Sequence, residues 1–270
     1  MSQVVATYRN HIASEGEVSP VFSDGFESGV WSTGEVGGNW YSRNSASLVY
    51  VDATNPRTDS YALRFKLSSV PLGTDCSAEA RFNLTTPVSE LWWEYYTYIP
   101  SNYDHRVDPP SNNKWWIIGY DDNLHAGWDE EGGWTLRMEI NPASSPNISQ
   151  TRLVYGFEGS GASSENANGY GPYLNQYTAY ITESDLGTWV RWGIYFKLAT
   201  SQVASDGVCL LYKNGSLILT NSGYPFSGID YANPADSFEV VGWANSGFTD
   251  ETIIDIDDMA IYTSNPGWGG

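Results

Sequence analysis

The chain has 270 residues, 15% of them aromatic and only 17% charged, with 27 Gly and 13 Pro, a composition that favours many short strands and tight turns over long helices. Thirteen basic against 32 acidic residues give a formal charge of −19. A field of that sign repels phosphate backbones and anionic lipid, so neither nucleic acid nor a membrane is an expected partner, and no stretch of about 18 apolar residues is present to span a bilayer.

Residues 1–20 are polar, carry no sustained strand pattern and contain no apolar run long enough for a signal peptide. Their one apolar patch, "VVATY", is poorly suited to an isolated exposed segment. The expectation is an N-terminal arm that docks onto another chain through Val4, Val5 and Tyr8, followed by one domain over 21–270. From "PVFSDGFESGVW" onward apolar residues alternate with polar ones between Gly, Asn and Asp punctuation. Strands are predicted at "YALRFKLS", "SAEARFNLT", "ELWWEYYTYI", "KWWIIGY", "WTLRMEIN", "RLVYGFE", "WVRWGIYFKL", "GVCLLYKNGSLILT", "FEVVGWA" and "TIIDIDDMAIYT". Strands of this length with no convincing helix imply an all-β, two-sheet sandwich. "KNGS" is a type I′ hairpin signal, because both central residues of that turn need positive φ. The stretch "GFEGSGASSENANGYGPYLNQ" reads as an extended surface loop. Cys76 and Cys209 show neither metal-ligand nor redox spacing and are expected as buried thiols.

Strand side chains alternate between faces. In "ELWWEYYTYI" that puts Trp92, Glu94, Tyr96 and Tyr98 on one side, and Leu91, Trp93, Tyr95, Thr97 and Ile99 on the other. "WVRWGIYFKL" divides into Arg191, Tyr195 and Lys197 against Trp192, Ile194, Phe196 and Leu198. "WTLRMEI" sets Thr135, Arg137 and Glu139 opposite Leu136, Met138 and Ile140. If the three strands share a sheet, Trp92, Glu94, Tyr96, Arg137, Glu139, Arg191 and Tyr195 combine into a saccharide groove, with Lys197 beside them. Rings offer a flat apolar surface to a pyranose, and guanidinium and carboxylate groups bind hydroxyls in pairs.

The pattern resembles the concanavalin A-like lectin/glucanase sandwich, in its polysaccharide lyase-like branch with a jelly-roll fold. "SAEARFNL", "ELWWEYYTYIPSNYD", "NKWWIIG", "LGTWVRWGIYFKLATSQVASDGVCLLYKNGSLIL" and "IDIDDMAIYTS" carry the resemblance, over roughly residues 21–264. It implies an antiparallel two-sheet jelly roll and leaves function open, since this sandwich serves lectins, hydrolases, lyases and viral surface proteins. The sandwich glucanases carry a Glu-x-Asp-x-(x)-Glu strand, and no such strand is present, which disfavours a hydrolase. A lyase needs a base and a group that neutralises a uronate carboxylate. The candidates are Tyr195 or His125 as base and Arg137, Arg191 or Lys197 as neutraliser.

Two functions follow as expectations. One is a non-catalytic glycan-binding or surface-display sandwich, such as a decoration or adhesion protein of a phage or other virus particle held in a larger assembly by residues 1–20. The other is a polysaccharide lyase cleaving a uronate-containing polymer by β-elimination. The partner in either case is a polysaccharide or cell-surface glycan. The place is a virion surface, otherwise the cytoplasm or an export route other than the general secretory one. Sandwiches of this type often bind a structural calcium where the first and last strands meet, which nominates Asp24, Glu27, Asp257 and Asp258 as oxygen donors.

Overall fold

The computed structural model describes residues 18–31, 34–43, 45, 47–104, 106, 112–120, 134–142, 149–157, 170–201, 204–224, 234–245 and 247–268. Residues 1–17, with Val4, Val5 and Tyr8, lie outside the described residues, as does His125. Among the described residues seventeen strands follow in chain order: β1 (Phe22–Asp24), β2 (Gly38–Arg43), β3 (Val49–Asp52), β4 (Ala62–Leu67), β5 (Cys76–Ser77), β6 (Ala80–Val88), β7 (Glu90–Ile99), β8 (Asn112–Tyr120), β9 (Trp134–Pro142), β10 (Ser149–Phe157), β11 (Tyr170–Ile181), β12 (Thr188–Lys197), β13 (Gly207–Lys213), β14 (Ser216–Tyr224), β15 (Ala235–Val240), β16 (Trp243–Asn245) and β17 (Thr252–Tyr262). Among the described residues the helical content is one 3₁₀ turn, Glu183–Asp185.

Two antiparallel sheets result. The first runs β14-β13-β12-β7-β17-β4-β3, with β1 beside β17. The second runs β11-β10-β9-β8-β15-β6-β2, with β16 beside β8 and β5 beside β16. The alternation read from the sequence decides which face each strand buries. Leu91, Trp93, Tyr95, Thr97 and Ile99 are all fully buried, and so are Trp192, Ile194 and Phe196 across the strand pair. Phe82 and Phe238 of the second sheet stack at 5.0 Å, and Trp93 of the first meets Phe238 edge-on at 5.4 Å. Such ring pairs fill the space between sheets with few rotatable bonds to order. Cys76 and Cys209 are buried free thiols in this core. Burial pushes Cys76 up to about 11 and Cys209 further.

Asn214 and Gly215 form the expected hairpin with φ of 49° and 82°, as a type I′ turn demands. The predicted loop differs from the structure in its last part: from Tyr170 the chain is strand β11, which pairs with β10 and ends the sheet. It is an edge strand with irregular register, and an edge tolerates the Gly171-Pro172 pair that hid it in the sequence. "FEVVGWA" is two strands rather than one, interrupted at Val241-Gly242.

Candidate functional site: the outer face of the second sheet

The saccharide groove expected from three strands is split by the topology. Strands β7 and β12 are neighbours in the first sheet, whereas β9, which carries Arg137 and Glu139, lies in the second. Leu136 and Met138 of β9 are buried in the core. The physical reason is the core itself: each sheet turns its apolar side toward the other, so their polar sides point apart.

On the first sheet the register sets Tyr96 opposite Arg191, Glu94 opposite Gly193, Trp92 opposite Tyr195 and Glu90 opposite Lys197. The structure therefore does bring Trp92, Glu94, Tyr96, Arg191, Tyr195 and Lys197 onto one face, but much of that face is engaged internally. Trp92 and Tyr195 pack ring to ring at 4.6 Å, and the Tyr195 hydroxyl donates to Glu90 Oε1 at 2.9 Å. Burial, that hydrogen bond and the Glu90 charge push the phenol up to about 12, which makes Tyr195 a poor base at neutral pH. Arg191 Nη2 donates to Glu94 Oε2 at 2.6 Å, and Trp268 Nε1 donates to the same oxygen at 2.8 Å. Trp268 lies over Gly193, where a Cβ would meet its ring at 3.0 Å, so the C-terminal segment covers part of this face. At the other end the Arg57 guanidinium stacks 3.4 Å above Tyr96.

The structure shows no metal site at the four residues of the calcium expectation. Asp24 accepts from the Phe26 amide and from Trp40 Nε1, both at 2.7 Å. Glu27 accepts from the amides of Ser60 and Tyr61. Asp257 Oδ2 accepts from the amides of Arg57 and Thr58, and its Oδ1 from the Asp258 amide. Asp258 pairs with Arg57 and accepts from Thr58 Oγ1. A hard cation needs carboxylate oxygens converging on one point. Here Glu27, Asp257 and Asp258 instead tether the segment around residues 57–61, each oxygen facing an N–H or O–H donor. Among the described residues no three His, Cys, Asp or Glu side chains come together so as to hold a metal ion. The strand is also irregular at this point: Asp258 has φ 48° in a bulge, so Asp257 is buried while its neighbour is half-buried. Burial, with the Asp258 charge, pushes Asp257 up to about 7, and burial pushes Asp24 up to about 6.

The second sheet carries a different arrangement. Ala80, Phe82, Phe238 and Ile118 face the core, so Arg81, Glu239 and Ile117 fall on the outer side of strands β6, β15 and β8. Cross-strand pairing puts Arg81 opposite Glu239, Glu239 opposite Ile117, and Ile117 opposite Arg137. A second row sets Lys114 opposite Glu139 and Glu139 opposite Arg152. Arg137, Glu139 and Arg152 are placed in these rows by their backbone register. Arg81 Nε donates to Glu239 Oε2 at 3.0 Å and its Nη2 pairs with Glu79 Oε1 at 3.0 Å. Glu239 is only 3% exposed although it lies on the side away from the core. Burial pulls the Arg81 guanidinium down, but the Glu239 and Glu79 charges outweigh it and hold it above its ordinary value. Lys114 Nζ donates to Asn245 Oδ1 at 2.6 Å, and Asn245 Nδ2 donates to Asp75 at 3.2 Å.

Beside this array Val241 adopts φ 45° while 2% exposed. A β-branched residue in the left-handed region costs on the order of 1–3 kcal/mol, and such strain collects at functional sites. The sequence contained the signal: Glu79-Ala80-Arg81 and the Val241-Gly242 pair stand in plain view. What it lacked was the register that aligns Arg81 with Glu239, more than 150 positions away.

No protein-family model and no curated protein matches the chain. Solved structures do. A variant of alginate lyase Aly36B in complex with alginate tetrasaccharide is 15% identical, with 91% of this chain and 98% of that chain covered and a TM-score of 0.55. The alginate lyase vAL-1 from Chlorella virus is 11% identical over 79% of this chain and 89% of that one, with a TM-score of 0.56. An endo-1,3-beta-glucanase from Streptomyces sioyaensis is 12% identical over 92% and 97%, with a TM-score of 0.53. The fold is the concanavalin A-like jelly roll. Identities this low establish the architecture alone, so within the concanavalin A-like sandwich the choice among binding, hydrolysis and elimination rests on the side chains.

Proposed function

We propose that the chain is a carbohydrate-binding sandwich whose glycan, a polysaccharide bearing carboxylate groups, lies across the outer face of the second sheet. The observation that carries this reading is the sheltered Arg81–Glu239 pair on the side away from the core, with Lys114 beside it and a strained backbone at its edge. Alternating guanidinium, ammonium and carboxylate groups suit the hydroxyls and carboxylates of a uronate polymer. Two of the similar structures are alginate lyases, one of them holding an alginate tetrasaccharide, which supports the ligand class.

The test is retention of the full chain in gels containing alginate, glucuronan, a heparin-type polymer or a neutral β-1,3-glucan. We expect retention by at least one carboxylated polymer, and Lys114→Ala is expected to weaken it about tenfold, the scale of one charge-assisted hydrogen bond. Retention by the neutral glucan alone would overturn the ligand class. Loss in Trp92→Ala with no change in Lys114→Ala would move the site to the first sheet.

Elimination is the second reading, supported by Arg81 and Lys114 on this face, cations of the kind that neutralise a uronate carboxylate, and by the similar lyase whose tetrasaccharide complex lacks a lysine and a tyrosine. Ultraviolet absorbance of unsaturated product in the same mixtures distinguishes it from binding. If product forms, it is expected to form undiminished in Tyr195→Phe, because that phenol lies on the other sheet and donates to Glu90. Attachment to a larger particle, a virion surface included, is proposed from the apolar patch of the arm. Deleting residues 1–20 is expected to leave the far-ultraviolet spectrum unchanged and to abolish assembly. A truncated chain that still assembles, or that does not fold, would remove that part of the reading.

A further inference from the structure

Strand β8 is held on one side by β15 and β16, which together oppose it with one residue too many. Val240 pairs with Trp116 and Ala244 with Asn113, so a step of four residues answers a step of three. The surplus is absorbed at Val241 and Gly242, whose amides donate to the carbonyls of Trp115 and Lys114 at 3.0 and 2.8 Å. On its other side β8 shifts register again between Lys114 and Trp116 against β9. Lys114 thus stands between two bulges, the device by which a sheet re-aims a single side chain.

Gly242 has no room for a side chain. A Cβ there would lie 2.6 Å from Lys114 Cβ and 2.7 Å from Glu239 Oε1, so the lysine stem and the carboxylate flank the same glycine. Three residues later Asn245 receives the Lys114 ammonium, and Asp75 holds Asn245 in turn. A regular strand would satisfy the same backbone ladder without placing a buried valine at positive φ. The strain therefore calls for a gain beyond hydrogen bonding of the strand.

We propose that the Val241–Gly242 bulge, with Asn245 behind it, is the positioning unit of the glycan face, setting the Lys114 ammonium in line with Glu239 for a carboxylate of the bound polymer. The proposal rests on the carbohydrate-binding reading. Val241, Gly242 and Asn245 are positioning residues; Lys114 is the one that meets the ligand.

A double-mutant cycle tests it, using the full chain and whichever of alginate, glucuronan and the heparin-type polymer retains it, with Gly242→Ala, Lys114→Ala and the pair. Each single change is expected to weaken binding about tenfold and the pair no more than either alone, because a bulge that acts through Lys114 has nothing to position once the ammonium is gone. Asn245→Ala, which alters no backbone, is run against Lys114→Ala in the same way and keeps the test open should Gly242→Ala not fold. Additive losses in the Asn245 cycle would overturn the positioning role, since a general loosening of the sheet adds to the loss of a charge. If the unaltered chain is retained by none of alginate, glucuronan and the heparin-type polymer, the ligand reading fails and the inference falls with it. Retention with additive cycles sinks the inference alone.

Discussion

Replacing Arg64 by Met is expected to lower the unfolding free energy by about 3–5 kcal/mol, the cost of leaving a buried charge without its partner. Arg64 grips Asp255 through both of its oxygens, Nε to Oδ1 at 2.7 Å and Nη2 to Oδ2 at 3.0 Å, and Asp255 is 2% exposed. Asn55 Nδ2, at 2.9 Å, would then be left as a side-chain donor to a carboxylate that had lost its cation. Arg64→Met combined with Asp255→Leu is expected to recover most of the loss, because it removes the desolvated charge along with its partner. Urea midpoints at constant slope make the comparison. An equally large loss in the double variant would mean that the pair acts through packing rather than charge. The same single variant, assayed below its melting range, should be retained by the carboxylated polymer as well as the unaltered chain is, since β4 and β17 lie in the sheet that does not carry the proposed glycan face.

Stability is also expected to rise as the pH is lowered from about 8 to about 5. Asp257 at about 7 and Asp24 at about 6 both stand above the ordinary value of 3.8, so between these limits the folded chain binds protons that the unfolded chain does not. The folded state therefore gains as pH falls through the folded pKa values, and the gain is complete near the unfolded value. A tenfold change in proton affinity is worth about 1.4 kcal/mol, which puts the combined effect at a few kcal/mol. The charge of −19 pushes in the same direction, because protonation relieves self-repulsion. Asp52 and Asp206 are held below their ordinary values by hydrogen bonds from Thr54 and Thr200, so their contributions are lost only in stronger acid. Asp257→Asn should flatten the dependence between pH 5 and 7. A slope that survives the substitution would assign the titration elsewhere.

These carboxylates show that composition alone does not say what an acidic side chain will meet. An acidic chain of this fold invites calcium, and Asp24, Glu27, Asp257 and Asp258 are the obvious donors. In the folded chain three of them tether a loop to the first sheet through backbone amides and hydroxyls, while Asp24 holds Trp40. Which donor meets which oxygen depends on contacts such as Arg57 to Asp257, which lie 200 positions apart.

Local rules were sufficient to read the strands and their inner faces from the residues. Alternation in "ELWWEYYTYI" assigned Trp93 and Tyr95 to the core and Trp92 and Tyr96 to the outside, because successive side chains of a strand must point to opposite faces whatever the strand pairs with. Asn214-Gly215 specified its hairpin for an equally local reason, the positive φ of both residues. Which outer faces belong together is a different matter, legible only once the strands have paired. Strand β9 has the same polar pattern as β12, yet hydrogen bonding to β8 and β10 puts Arg137 and Glu139 in line with Glu239 and Lys114 rather than with Arg191 and Tyr195. Sheet membership is a pairing between distant segments, set by loop closure and by the packing of two apolar faces, and a strand's own residues carry no record of its neighbour.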